Sequence, residues 1–352
     1  MSSQDPQSEL DAIRAQAAAL GLYDDDSDLD VEPVDDFIAR MKQSDRGHGT
    51  RRALTWTGSI IAAATVASAI VVFRPWGSPA AAEPPPILDF EFAAAVRIAH
   101  AGGQDPRADL GRVADAARAA TTDAGDGDVQ HHVHDSWYSE IDEKGSSVIT
   151  PRITETWLRP DGSQTSRDSK APPLSSDGRG IATRAPSPSP DAEVSQLPAD
   201  SIDAGFAAGL PDDPDGLRKA LLDHIDCPDR EVGSERSLCL YSEIVALYGT
   251  YVVRDETSAA LWTMLADEAG FTSLGSVEDR AGREGLGISL IPASRPQHRL
   301  ILIISTDDGQ LLGHEDILIK DQPGLDIEAP SVLSFDTIVT AEHTRSSGPS
   351  DS

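Results

Sequence analysis

The sequence predicts an α+β domain, a curved antiparallel sheet packed on helices, carried behind one transmembrane helix. Three observations predict it. Residues 53–73 run without a charge between unequal basic flanks. Apolar residues recur at helical spacing over 107–120 and again between 213 and 269. Strand-type alternation, punctuated by Asp-Gly pairs, fills 129–169 and 285–341.

Residues 1–52 hold twelve acidic and six basic side chains of a chain whose formal net charge is −30. The remainder is acidic as well, so nucleic acid is excluded as a partner, because phosphate binding needs a basic face. Within this leader, Asp5 caps a helix with Pro6 in its first turn and Leu10, Ile13, Ala17 and Leu20 on one side. A second helix starts at Pro33 and gathers Val34, Phe37, Ile38 and Met41. The intervening DDDSDLDVEP (24–33) is too charged to pack. Neither helix is long enough to stand alone. They must dock on a partner, lie on the membrane surface or stay partly disordered; an unstructured juxtamembrane leader is the favoured reading, and Phe37, Ile38 and Met41 are the residues with which the leader would otherwise hold a cytoplasmic protein partner. A zinc-binding regulator is excluded, since the leader has no Cys and only His48.

At 1.5 Å per residue, 53–73 spans about 31 Å, close to the hydrocarbon thickness of a bilayer. Trp56 and Trp76 fall where indole rings favour the membrane interface. Arg40, Lys42, Arg46, Arg51 and Arg52 precede the run and only Arg74 directly follows it. The positive-inside rule then puts 1–52 in the cytoplasm and the C-terminal portion outside. A cleaved signal peptide is the competing reading, with Ala80-Ala81-Ala82 as its cleavage site. The leader is too long and the apolar run exceeds a typical signal core. Gly58 and Ala62, Ser59 and Ala63, Ala64 and Ser68 repeat at a spacing that lets two spans pack closely into a homodimer. An Ala-rich anchor accounts for the same residues.

Residues 74–86 form a Pro-rich stalk leading to an extracytoplasmic α+β domain over 87–343. Its expected elements are helices at 88–100 and 107–120, the latter with Leu110, Val113, Ala114 and Ala117 inward. Strands at 129–141 and 147–158 follow, and Asp161-Gly162 turns into another at 163–169. Residues 171–200, with APSPSPDAE at their centre, are a low-complexity surface loop. Helices return from Pro214 (Leu217, Ala220 and Leu221 inward), at 239–251 and at 258–269, with Gly270 as a C-terminal cap. Strands at 285–291, 299–305, 310–320 and 332–341 complete the domain. LILII (300–304), apolar on both faces, belongs in the interior of the sheet, and Asp308-Gly309 is a hairpin turn. Residues 344–352 are a polar, disordered tail.

The two cysteines of the chain, Cys227 and Cys239, both fall on the outer side, where a disulfide is the natural state. Reduced or metal-binding thiols are the alternative. HHVHD (131–135) puts His132 and His134 on one strand face and His131 on the other, so two imidazoles converge where a metal usually takes three or four ligands. Polar residues on an exposed strand face explain it better. VEDRAGREGLG, with Asp279, Arg280, Gly282 and Arg283, is either an anion-binding loop or a tight turn held by local ion pairs, and the turn is favoured. No nucleophile elbow, HExxH, Walker loop or dinucleotide fingerprint occurs. The sequence thus offers no catalytic, cofactor-binding or metal residues, and the chain is expected not to be an enzyme.

Four phrases carry a family resemblance: ETWLRPDGSQ (155–164), GLPDDPDGLRKALLDH (209–224), VEDRAGREGLGISL (277–290) and STDDGQLLGHEDILI (305–319). In this order they resemble actinobacterial single-pass membrane proteins of unassigned function, known by a locus-tag name, whose ectodomains carry "LP-x-DP", "D-x-x-GR" and "D-x-x-T-G-x-x-LG". The resemblance covers most of 53–320, excluding the leader and the 171–200 insert. Asp308 stands where the last phrase has threonine, a change a hairpin tolerates. The resemblance implies topology and supplies no catalytic residue. The expected function is a membrane-anchored envelope protein whose ectodomain binds or senses a ligand or partner. One alternative is a zinc-free, anti-sigma-like regulator acting through its cytoplasmic helices. The other is a metal-dependent envelope hydrolase using His132 and His134.

Overall fold

In the computed structural model the described residues are 84–93, 98–99, 102–121, 124–141, 147–171, 192–225, 227, 233–323, 325, 327–346 and 348. Phe37, Ile38, Met41, both leader helices, the run at 53–73 and most of the stalk and insert lie outside them. Among the described residues no helix is long and apolar enough to cross a membrane.

Helix α1 (Arg107–Ala119) buries Leu110, Val113, Ala114 and Ala117, the stripe its periodicity requires. Strands β1 (Val129–Ile141), β2 (Ser147–Leu158), β3 (Gln164–Lys170) and β4 (Glu193–Leu197) then run outward as an antiparallel meander. Helices α2 (Pro214–His224), α3 (Ser234–Thr250) and α4 (Asp255–Ala266) follow. The chain re-enters the sheet at the opposite edge through β5 (Phe271–Glu278), β6 (Glu284–Leu290), β7 (His298–Ser305), β8 (Leu311–Leu318) and β9 (Ser331–Thr344). The nine-stranded sheet has the order β4-β3-β2-β1-β9-β8-β7-β6-β5. The two meanders therefore meet at β1 and β9, which pair antiparallel at the middle of the sheet.

Local chemistry explains several boundaries. Asp213 accepts a hydrogen bond from the Gly216 amide at 2.8 Å and Pro214 opens the first turn, so α2 starts with a filled cap. Asp308-Gly309 turns β7 into β8, and Gly309 has φ +70°. A Cβ there would stand 2.6 Å from the Ala117 Cβ of α1, which excludes any other residue twice over.

β7 is buried along nearly its whole length because both faces of this part of the sheet are covered. Leu300, Leu302 and Ile304 join Leu286, Ile288 and Leu290 under the helices, packed with Leu221, Leu240, Ile244 and Trp262. Ile301 and Ile303 face the other way, against Leu88, Phe90 and Ile98. That second cover corrects the helix expected at 88–100. Its described residues form an extended, turning strap, whose Glu91 and Phe92 amides donate to the Ser276 and Leu274 carbonyls of β5. Phe90 lies flat because Gly287 offers no Cβ; one built there would meet its ring at 2.6 Å. Part of the 171–200 segment also differs from expectation, since 193–197 pairs with β3 as an edge strand. β9 reaches Thr344, and beyond it Gly348 packs on the Trp157 indole.

Cys227 and Cys239 form a disulfide with Cα atoms 6.0 Å apart, tying the segment after α2 to the second turn of α3. Closing so short a loop limits the unfolded chain by about 2–4 kcal/mol. Cys227→Ala with Cys239→Ala should lower the unfolding free energy measured in urea by that amount, with the fold retained.

Candidate functional site

The strand period places Gln130, His132 and His134 of β1 on its helix-covered face, with His131, Val133, Asp135 and Trp137 on the other. Gln130 fixes the first set: its amide donates to the Ala204 carbonyl at 3.2 Å, and its oxygen accepts from the Val252 amide at 2.8 Å, just past α3. Trp137 fixes the second, stacked on Phe335 with centroids 6.3 Å apart. His131 stacks on Trp157 at 5.1 Å on that same outer side.

The face carrying His132 and His134 is closed, which corrects the expectation of an exposed strand face. His132 is 0% exposed and His134 8%. Their rings stack at 5.9 Å, 17° from parallel. β9 contributes through a bulge: Val133 pairs with Thr340 but His134 with Ile338, so Val339 is extra and the strand changes face there. The shift brings Asp336 to the helix side, where its carboxylate sits 2.7 Å from His134 Nδ1.

The polar seam continues along the sheet. His314 and Asp316 of β8 lie opposite Leu302 and Leu300, hence also under the helices. Asp316 holds His298 Nδ1 at 2.9 Å, and the other ring nitrogen meets Gln322 Oε1 at 3.0 Å. Both contacts favour the protonated ring, which can donate from each nitrogen. The hydrogen bond to Asp316 accordingly raises His298 above the ordinary imidazole range.

His134 and His132 are driven apart. Burial disfavours charge on His134, but the Asp336 carboxylate, its hydrogen bond and the nearby Gly249 backbone of α3 outweigh it and raise the ring. His134 Nε2 makes no hydrogen bond of normal geometry. His132 has no partner on either ring nitrogen. Burial, then the neighbouring His134, His131 and His343, hold it well below the usual range, with Asp336 opposing. Burial lowers His314 too. The two stacked imidazoles are thus pushed in opposite directions, His134 towards its charged form and His132 towards its neutral one.

On the outer face, burial and then Asp336 push Asp135 up to about 7 from 3.8. Between those limits the folded chain binds a proton that the unfolded chain does not, so stability falls as pH rises and the penalty is complete above about 7. Asp135→Asn should therefore stabilise by on the order of 2 kcal/mol at pH 8, allowing for residual solvation, with no gain at pH 4. Paired urea titrations would show this.

Asp279, Arg280 and Arg283 are occupied internally. Asp279 accepts from the Ala281 and Arg283 amides and holds the Arg283 guanidinium at 2.6 and 2.8 Å. Arg280 is paired with Glu315 at 2.8 Å, both 1% exposed, and lies over the Phe335 ring. The segment is a turn stapled locally by Asp279 and Arg283, while Arg280 pairs with Glu315 of β8. Among the described residues no group of three or more His, Cys, Asp or Glu converges on a metal position. His132 and His134 are the buried members of the seam, while His298, His314 and Asp316 are half-buried.

No family model and no curated protein matches the chain.

Proposed function

We propose that this chain is a single-pass, membrane-anchored envelope protein whose α+β domain lies outside the cytoplasmic membrane and binds or senses, rather than catalyses. The disulfide between Cys227 and Cys239 is the observation that carries the reading, because such a bond persists in an oxidising compartment. The uncharged run at 53–73, with its basic residues on the N-terminal side, supports the same orientation. The sealed packing around His132 and His134 supports sensing over turnover. The four phrases quoted above support kinship with actinobacterial single-pass proteins. In this reading the bilayer is the partner of 53–73, and Phe37, Ile38 and Met41 are the leader's surface for a cytoplasmic protein. A phosphatase reporter fused after Ser352, active only outside the cytoplasm, should be active in cells. Activity of a cytoplasm-only reporter at that position would refute it.

A further inference from the structure

We propose that the stacked His132–His134 pair is a proton-driven latch: near neutral pH it seats the end of α3 on the central strands, and on acidification it releases that seat. The inference goes beyond the membrane reading and does not depend on it.

The geometry carries it. His132 lies wholly enclosed with neither ring nitrogen hydrogen-bonded, an arrangement tolerable for a neutral imidazole and costly for a charged one. Its stacked neighbour His134 is held 2.7 Å from the Asp336 carboxylate, which favours the charged form of that ring. A second positive charge on His132 would therefore arrive without a hydrogen-bond partner and beside a ring already biased towards the same charge. Gln130, two residues along on the same face, fastens the Val252 amide directly after α3, so this stretch of β1 is where α3 ends and docks.

The charged and titratable groups around the pair are few. β1 itself contributes His131 and Asp135, both on the outer face. β9 contributes Asp336 and His343, and β8 contributes His314 and Asp316, the latter engaged with His298 of β7. Of the charged residues of α3, Glu235 stands in the first turn at the end remote from Gly249, Arg236 is held by Glu268 and Glu243 by His224. No carboxylate of α3 thus stands ready to neutralise a charged His132.

The sign follows from which state takes the proton. The closed form keeps His132 neutral, whereas an opened α3 end exposes it to water with an ordinary value near 6.5. Closure is then favoured above about pH 6.5 and weakens below it. One proton taken up on opening multiplies the opening equilibrium about tenfold per pH unit. His134, raised in the closed form, gives up proton on opening near pH 6.5 and so opposes the rise there, an effect that fades over about one pH unit further down and leaves the His132 slope to dominate. Asp135 would act oppositely but stays packed on the outer face when α3 lifts, so local opening and global unfolding depend on pH differently.

Hydrogen exchange of the full-length chain in detergent micelles, corrected for intrinsic rates, tests this between pH 7.5 and 5. Opening of residues 244–253 should rise steeply below about pH 6.5, and His132→Phe should remove about tenfold per pH unit of that rise. An unchanged slope in the variant, or exchange in the natural chain indifferent to pH, overturns the proposal. Should His132→Phe fail to fold, imidazole titration of the natural chain by NMR decides. A His132 ring still neutral well below pH 6.5 in the folded protein supports the latch; one titrating at or above that value overturns it.

Discussion

Replacing Glu268 with alanine is expected to destabilise the fold by about 3–5 kcal/mol, the usual result of removing one partner from a buried charge cluster. Its carboxylate is 1% exposed and joins three segments. Arg218 of α2 donates through Nε at 2.6 Å, Arg236 of α3 through two nitrogens at 3.0 and 2.7 Å, and Glu268 itself follows α4. Without it, two half-buried guanidinium groups confront each other, and the three helices lose the acceptor that fixes their relative positions. Glu268→Gln keeps the shape and one acceptor oxygen but no charge, so its cost should fall between zero and that of alanine. Urea denaturation at neutral pH measures both, and a loss under 1 kcal/mol for Glu268→Ala would show that the cluster is only a surface pair.

Trp262→Ala should cost a similar amount, about 3–5 kcal/mol, for a different reason. The indole is fully buried in the core under the helices and stacks on Tyr248 with centroids 6.0 Å apart. Its Nε1 donates to the Gly309 carbonyl at 2.6 Å, so α4 grips the β7–β8 hairpin at its tip. Alanine leaves a cavity and an unbonded carbonyl. Trp262→Phe retains most of the volume and should lose only about 1–2 kcal/mol, the hydrogen-bond share. Comparable losses for the two variants would mean that the hydrogen bond, and not packing, dominates.

These two residues mark where local pattern ceases to inform. The helices, most strands and the Asp-Gly turns were legible because each is specified by neighbours within a few positions: alternation along 129–141, the Asp213-Pro214 start, the left-handed glycine at 309. The disulfide was legible from two cysteines and a compartment. Neither Glu268 nor Trp262 announces its partners, which are far away along the chain. β5 was missed because FTSLGSVE is broken by glycine and serine; it becomes a strand by pairing with β6 and with the strap. The strap in turn has helical apolar spacing, yet contact with Gly287 flattens it. EVSQL is a strand only because β3 offers it an edge.

The histidine seam shows the same limit at the candidate site. Alternation assigned His132 and His134 to one face and His131 to the other, as the structure has them, but polarity suggested that the shared face met solvent. The end of α3, more than a hundred residues later, meets this face through Gly249 and Val252, and a bulge at Val339 turns Asp336 inward. Neither contact leaves a mark on the five residues HHVHD.

The orientation of the domain across the membrane is the claim on which the functional account stands, and paired labelling tests it most directly. Cys227 and Cys239 are joined, so single reporters can be introduced as Ser294→Cys, at an exposed position in the domain, and Ser27→Cys in the leader. A membrane-impermeant maleimide added to intact cells should label the first fully and the second only after lysis. Labelling of Ser27→Cys in intact cells, with Ser294→Cys protected until lysis, would contradict the account.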